Sequence, residues 1–357
     1  MIEIFIFCVI FLFLIYLYSK RGVEKALVCA SLFHFLFFAI RTRYGNDYNN
    51  YVDIYDMFSN MSVRDAISDT YRHFEIGWRF ICVLCGNFGF QSIIIFVQAI
   101  TSLSLFLFIK YCIPRNLALF AAFIYVMNPD YMLIQLSMLR ESVAINLCLI
   151  SIILILTKKK LLSIPFAIVA LLFHRTSMVF FLVYIFLFFE PRLRKKYNVV
   201  IGIILISLLP LARTVVGDYV STLFDYDSFS RYESYLGRTD GLTFGLGNII
   251  EFCIWGLPAF VYYKYCNEYK ERTACQIYLL TYVLFPFATL TVLLQRLSIY
   301  FSIVSIFVIP LLCTKMDLKI RYIFITLFVI YELVRFVSFF YSPIYGKFFI
   351  EYHTIFF

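Results

Sequence analysis

Ile2-Glu3-Ile4-Phe5-Ile6-Phe7-Cys8-Val9-Ile10-Phe11-Leu12-Phe13-Leu14-Ile15-Tyr16-Leu17-Tyr18, closed by Ser19-Lys20-Arg21, is the stretch that decides the fold. It is apolar on every side of a helix and nearly long enough for the ~20 residues a bilayer crossing takes. No basic region precedes it and no small-residue cleavage site follows it, so it reads as a retained anchor and not as a signal peptide. Lys20 and Arg21 behind it place the N-terminus outside.

The same apolar pattern continues along the chain. Hydrophobic residues make up 62% of the 357, aromatics 20% and charged residues 15%, and mean hydropathy is +0.86. That is far more apolar than a soluble domain. Further spans are expected at about 26–40, 90–109, 117–136, 141–157, 161–174, 176–190, 198–213, 249–264, 275–294, 297–314 and 322–340. The expectation is an all-α polytopic membrane protein of about twelve transmembrane helices, with residues 1–357 forming one integral membrane domain. Two long external loops, 41–89 and 214–248, and an external tail, 341–357, remain. About 240 residues of span leave no room for a separate soluble catalytic domain. The net charge of +9 needs no nucleic acid, because membrane orientation and an anionic substrate both call for basic residues.

The type of basic residue differs between the two faces. One face gathers lysines such as Lys20, Lys25, Lys110, Lys158, Lys159, Lys160, Lys264, Lys315 and Lys319, mixed with some arginines, as cytoplasmic loops do. The other has Lys347 but twelve arginines: Arg41, Arg43, Arg64, Arg72, Arg79, Arg140, Arg175, Arg213, Arg231, Arg238, Arg296 and Arg335. Arginine's planar fork grips phosphate oxygens in pairs, whereas lysine is a mobile point charge. The outer face therefore reads as a place that handles an anion.

Candidate chemistry lies in the loops of that face. The first loop begins Arg41-Thr42-Arg43-Tyr44-Gly45-Asn46-Asp47-Tyr48-Asn49-Asn50-Tyr51. Tyr48, Tyr51 and Tyr55 fall at helical spacing, as a sugar-stacking face or as an interfacial aromatic belt. Further on, His73-Phe74-Glu75-Ile76-Gly77-Trp78-Arg79 brings together an imidazole, a carboxylate and a guanidinium. Asn128-Pro129-Asp130 should break a helix, and Arg140-Glu141 sits at a tight hairpin, where ionisable groups are costly. An Arg140–Asp130 pair holding the helices together is the structural alternative. His174-Arg175 forms another tight outer turn; an imidazole there suits a general base. Arg296 falls at the outer hairpin before the last spans.

Two weaker patterns carry little. Cys82 and Cys85 have C-x-x-C spacing, but their surroundings are apolar and no second pair accompanies them. Asp225-Tyr226-Asp227 has the D-x-D spacing of metal-dependent glycosyltransferases, without His or Cys ligands nearby.

Arg41, Gly45, Asp47-Tyr48 and Tyr51 together resemble the first-loop signature of the EpsG/Wzy-type polysaccharide polymerases. Glu75-Ile76-Gly77-Trp78, the Asn128-Pro129 break before Arg140-Glu141-Ser142-Val143-Ala144, the His174-Arg175 turn and Arg296-Leu297-Ser298-Ile299-Tyr300-Phe301 are similar to that family in the same order. The resemblance implies a bacterial repeat-unit polymerase, multi-pass in the inner (plasma) membrane. It would transfer a growing glycan from undecaprenyl diphosphate to a new lipid-linked repeat unit, with O-antigen or exopolysaccharide as product. Its partners would be the lipid-linked donor and acceptor, with a chain-length regulator as a further one. No cofactor and no metal is expected, since arginines can stabilise the departing lipid diphosphate. On this expectation Arg140, Arg175 and Arg296 bind diphosphate, helped by Arg41 or Arg43. His174 is the general base, with Glu75 and Asp47 behind it, and Tyr48 and Tyr51 pack against sugar. Alternatives from the same residues are a lipid-linked oligosaccharide flippase, an O-antigen ligase and, further off, a membrane acyltransferase. The lack of an internal repeat and the crowding of charge on one face favour the enzyme.

Overall fold

The structure, a computed structural model, describes residues 1–68, 74–189, 246–288 and 292–356. The described residues are helical, with no β-strand among them and an isolated antiparallel bridge between Arg41 and Thr354. They fall into two compact units, Met1–Met178 with Val329–Phe357, and Val179–Phe328.

The first unit starts with α1 (Ile2–Tyr16), which a π-turn extends to Arg21. It continues through α2 (Glu24–Ala39), α3 (Tyr48–Ser59), α4 (Val63–Ser68), α5 (Ile76–Leu84), α6 (Gln91–Cys112), α7 (Ala118–Met127), α8 (Pro129–Ser137), α9 (Leu139–Leu156) and α10 (Lys160–Phe173). In this unit α1 packs on α2 and α7, α2 on α6, α6 on α9, and α9 on α10. Phe7 and Phe11 of α1 are buried while Phe5, Val9 and Phe13 face outward, so α1 is apolar on both sides. A helix without a polar face suits lipid. At one end of the unit, Arg115 Nε donates to the Tyr18 carbonyl (2.7 Å) and Ser19 Oγ to the Arg115 carbonyl (2.7 Å). At the other, Gln91 Nε2 at the start of α6 donates to the Ala39 carbonyl at the end of α2 (2.5 Å).

Asn128-Pro129 breaks the chain as its sequence suggests. The Asn128 side chain accepts from the Asp130 N–H (2.9 Å), Pro129 occupies the first turn of α8, and the helices bend by 61°. Both choices satisfy donors that a helix start leaves open. Ser137 ends α8, and Met138 alone separates it from α9.

A buried polar seam ties these helices together. His34 Nδ1 meets Ser102 Oγ at 2.7 Å, Gln135 donates to Gln98 Oε1 (2.9 Å), and the Tyr125 hydroxyl donates to Gln135 Oε1 (2.9 Å). Lower on α6, Ser104 donates to Asn146 Oδ1 (2.5 Å), whose amide donates to Thr101 Oγ1 (3.1 Å). Where lipid gives no hydrophobic drive between helices, such bonds hold a bundle at roughly 0.6–2 kcal/mol each.

The expected external loop 41–89 contains α3, α4 and α5. Its beginning pairs with the C-terminal tail, which includes α18 (Gly346–Phe349). The Thr42 N–H donates to the His353 carbonyl (3.0 Å), the Ile355 N–H to the Ile40 carbonyl (3.0 Å), and the Tyr44 hydroxyl to the Phe349 carbonyl (3.0 Å).

The second unit holds α11 (Phe181–Phe189), α12 (Leu246–Glu251), α13 (Leu257–Tyr262), α14 (Tyr269–Ala288), α15 (Val292–Ser302) and α16 (Ser305–Thr314). The helix α17 (Leu318–Phe340) belongs to it as far as Phe328. In this unit α14 packs on α15 and α16, and Lys315 bonds both oxygens of Glu271 at 2.9 and 3.0 Å.

Four helical segments among the described residues are long and apolar enough to cross a membrane: Ile2–Arg21, Gln91–Cys112, Leu139–Leu156 and Leu318–Phe340. Counting each bent pair, 115–137 and 296–314, as one span makes up to six. That is fewer than the twelve expected from hydropathy. The difference has physical reasons: α10 has 14 residues, and Asn128-Pro129 divides the segment expected at 117–136. The segment expected at 198–213 lies outside the described residues.

Candidate functional site

A cluster of ionisable groups in the first unit gathers around Glu75. This residue caps the start of α5 with an extended backbone, and its carboxylate reaches away from the helix. Arg140, second residue of α9, donates to Glu75 Oε2 at 2.5 Å. His174 Nδ1 lies 3.4 Å from Glu75 Oε1, and the Arg175 N–H donates to the same oxygen at 3.4 Å. The partners come from residues 65 and 100 positions away. Gly77 permits the approach: a Cβ there would lie 2.6 Å from the Leu172 carbonyl oxygen, in the last turn of α10. Only a glycine lets α5 lie this close to the turn carrying His174.

Aromatic groups enclose the cluster. The Arg140 guanidinium sits over the Phe74 ring at 5.0 Å. Tyr51, reaching in from α3, lies within the electrostatic reach of Arg140 and packs edge-on against Trp78 at 5.2 Å. Burial raises the Tyr51 hydroxyl, with Arg140 acting in the opposite direction. Burial also pushes Glu75 up, but the neighbouring His174 imidazole and the Arg140 charge outweigh it and hold the carboxyl at about 2, below its ordinary 4.5. A carboxylate held there is ionised at neutral pH and a weak proton acceptor. Its chemical use is to hold Arg140 and to orient the imidazole. If the Nδ1–H of His174 faces Glu75, Nε2 is left to accept a proton, the arrangement by which a carboxylate sets a histidine's tautomer.

The other expected site residues fall in different places. Arg41 is fully buried and bonded to backbone carbonyls of α2 and α8. Arg43 is exposed and adopts a positive φ of 48°. Asp47 occupies the N-cap position of α3. The Tyr48 ring packs edge-on against Phe90 at 5.2 Å, and its hydroxyl lies 3.3 Å from Thr42 Oγ1. Tyr48, Tyr51 and Tyr55 do share one face of α3, and that face is buried. The amphipathic face thus meets protein, because α5 and the 86–90 turn pack under it. Arg175 is exposed beside the cluster. Arg296 belongs to α15 in the second unit and is half-buried.

The structural pair considered for Arg140 and Asp130 does not form. Arg140 turns to Glu75, while Asp130 accepts from Arg335 at 2.7 Å, and Arg335 also lies 3.4 Å from Glu332. His73 and the Asp225-Tyr226-Asp227 motif, with Arg72, Arg213, Arg231, Arg238 and most of the loop expected at 214–248, lie outside the described residues. The seam of His34, Gln98, Tyr125 and Gln135 escaped the motif reading. The signal for it was polar residues inside otherwise apolar spans, which are costly unless paired.

These features define a helical membrane protein with a partly buried carboxylate–arginine–histidine cluster where several helix ends meet. The EpsG family matches residues 24–354, and the chain belongs to it. Membership in that family points to a polysaccharide-polymerase-like role. No curated protein and no solved structure matches the chain.

Proposed function

We propose that this chain is a polysaccharide repeat-unit polymerase, transferring a growing glycan from undecaprenyl diphosphate to the non-reducing end of a new lipid-linked unit. It would cross the bacterial inner membrane about twelve times, the shorter helices α2, α10 and α11 included, and work at the outer face. The observation that carries this reading is the meeting of Glu75, Arg140, His174 and Arg175 in a chain of the EpsG family.

His174, oriented by Glu75, takes the proton of the acceptor hydroxyl. The hydroxyl oxygen bonds to the anomeric carbon as that carbon's bond to the diphosphate oxygen breaks. The electron pair leaves with the lipid diphosphate, and Arg140 and Arg175 offset its charge. Preorganised donors of this kind stabilise a leaving anion without metal chemistry. Tyr51 supports Arg140 from beneath, and Asp47 and Tyr48 shape the loop around it. A chain-length regulator is the expected protein partner.

The test is a gel of lipid-linked and exported glycans from cells with and without the gene. A ladder that collapses to a single repeat unit supports polymerisation. Loss of that single unit as well would point to a flippase or ligase.

A further inference from the structure

Arg41 presents a buried charge that no carboxylate among the described residues pairs with. Its side chain is fully enclosed, and the ionisable groups that act on it include Tyr352, Tyr48, Tyr44 and His34. Nη1 donates to the Phe38 carbonyl at 3.0 Å and Nη2 to the Gln135 carbonyl at 3.4 Å. Phe38 is in the last turn of α2 and Gln135 in the last turn of α8. Carbonyls there have no intrahelical N–H to accept from. Each helix C-terminus carries roughly half a negative elementary charge, so two of them together offset one guanidinium. This explains how Arg41 is buried without an acid.

The backbone around Arg41 is covered as well. It bridges to Thr354, its carbonyl accepts from Gln91 Nε2 at 3.3 Å, and its neighbours Ile40 and Thr42 bond to Ile355 and His353. A lipid diphosphate has no approach to this guanidinium. Past Arg41 the chain lies along the end of α8. Gly45 has φ +116° and comes so close that a Cβ would stand 2.6 Å from the Leu136 carbonyl, and the Asn46 N–H donates to Ser137 Oγ at 3.2 Å. The end of α8 leads through Met138 directly into α9, whose second residue is Arg140.

Resting on the polymerase reading, we propose that Arg41 is a positioning residue: it caps α2 and α8 together and so fixes where Arg140 stands. It is not a ligand of the substrate diphosphate. Displacing catalytic groups by about 1 Å costs on the order of 100-fold in rate, which a loosened α8 end would cause.

The test compares purified full-length wild type, Arg41→Lys and Arg140→Lys by undecaprenyl diphosphate binding and by polymerisation kinetics. Lysine keeps the charge at position 41 but lacks the rigid fork that serves two carbonyls. Arg41→Lys should bind undecaprenyl diphosphate within about twofold of wild type and keep its KM for donor, while kcat falls about 10–100-fold. Arg140→Lys should weaken binding. A tenfold or larger loss of undecaprenyl diphosphate affinity and a matching rise in KM for Arg41→Lys, at unchanged kcat, would overturn the proposal. If Arg41→Lys fails to fold, Ser137→Ala loosens the same junction more gently. It should lower kcat alone, and an unchanged kcat counts against the proposal. A wild type that binds undecaprenyl diphosphate but makes no polymer defeats the polymerase reading, and the binding comparison still decides the part concerning Arg41.

Discussion

Arg140 and Arg41 are two guanidiniums of one unit whose charges are offset by different means. Arg140 meets a carboxylate, Glu75, which also contacts a histidine and a backbone N–H. Among the described residues, Arg41's side-chain hydrogen bonds go to the carbonyl ends of two helices. The first arrangement gathers groups that exchange protons and grip anions, and one arginine face remains partly open, with a side chain 21% exposed. The second is closed, and its donors are aimed at backbone. A buried arginine is therefore read from its partners, and two arginines that look alike in a sequence separate into one held by a carboxylate and one held by helix-end carbonyls.

The contrast breaks most visibly at Glu75. Glu75→Ala leaves Arg140 without its carboxylate, which costs about 3–5 kcal/mol for a buried pair. Thermal unfolding in detergent should show a large drop; an unfolding temperature like wild type would mean that Arg140 is held by something else. Next comes Gly77→Val, whose Cβ has no room beside Leu172. Overpacking there should cost about 1–3 kcal/mol and separate Glu75 from His174, so chain growth stops. Full-length glycan from a folded Gly77→Val protein would show that the close approach of α5 to α10 is dispensable.

A third prediction uses pH. The Glu75 carboxyl is held at about 2 in the folded protein against an ordinary 4.5. Below 4.5 the unfolded chain takes up the proton first, so stability falls as pH drops from about 4.5 towards 2. Glu75→Gln should be less stable at neutral pH and lack this contribution; acid titration of both proteins, followed by circular dichroism, checks the difference. The smallest effect is expected at Asp130, whose side chain is half exposed and paired with Arg335. Asp130→Asn should change stability by no more than about 1 kcal/mol and leave the glycan ladder intact. A lost ladder would move the reacting centre towards the broken helix.

What the sequence disclosed follows from what local pattern encodes. Period and composition announced the apolar helices, and Asn128-Pro129 announced the break, because a cap and a ring act on neighbouring residues. The three-and-four spacing of Tyr48, Tyr51 and Tyr55 announced one face of α3. That face is buried against α5 and Phe90, since periodicity tells which residues share a side and not what that side meets. The partners of Arg140 were not legible for the same reason. Asp130 was close in sequence, yet Glu75, 65 residues earlier, is the one in contact. His174 and Glu75 were both legible as candidates, and their meeting depended on Gly77, whose significance appears only when α10 lies against it. The tail residues 353–355 that enclose Arg41 carry no motif.

The most direct test places purified protein in lipid vesicles with undecaprenyl-diphosphate-linked repeat units and compares wild type with a natively folded His174→Ala variant. Wild type should build a ladder of chain lengths, and His174→Ala should leave the single unit unextended. Long chains from His174→Ala, at the wild-type rate, would contradict the assignment of the Glu75–Arg140–His174 cluster as the place where the glycan is joined.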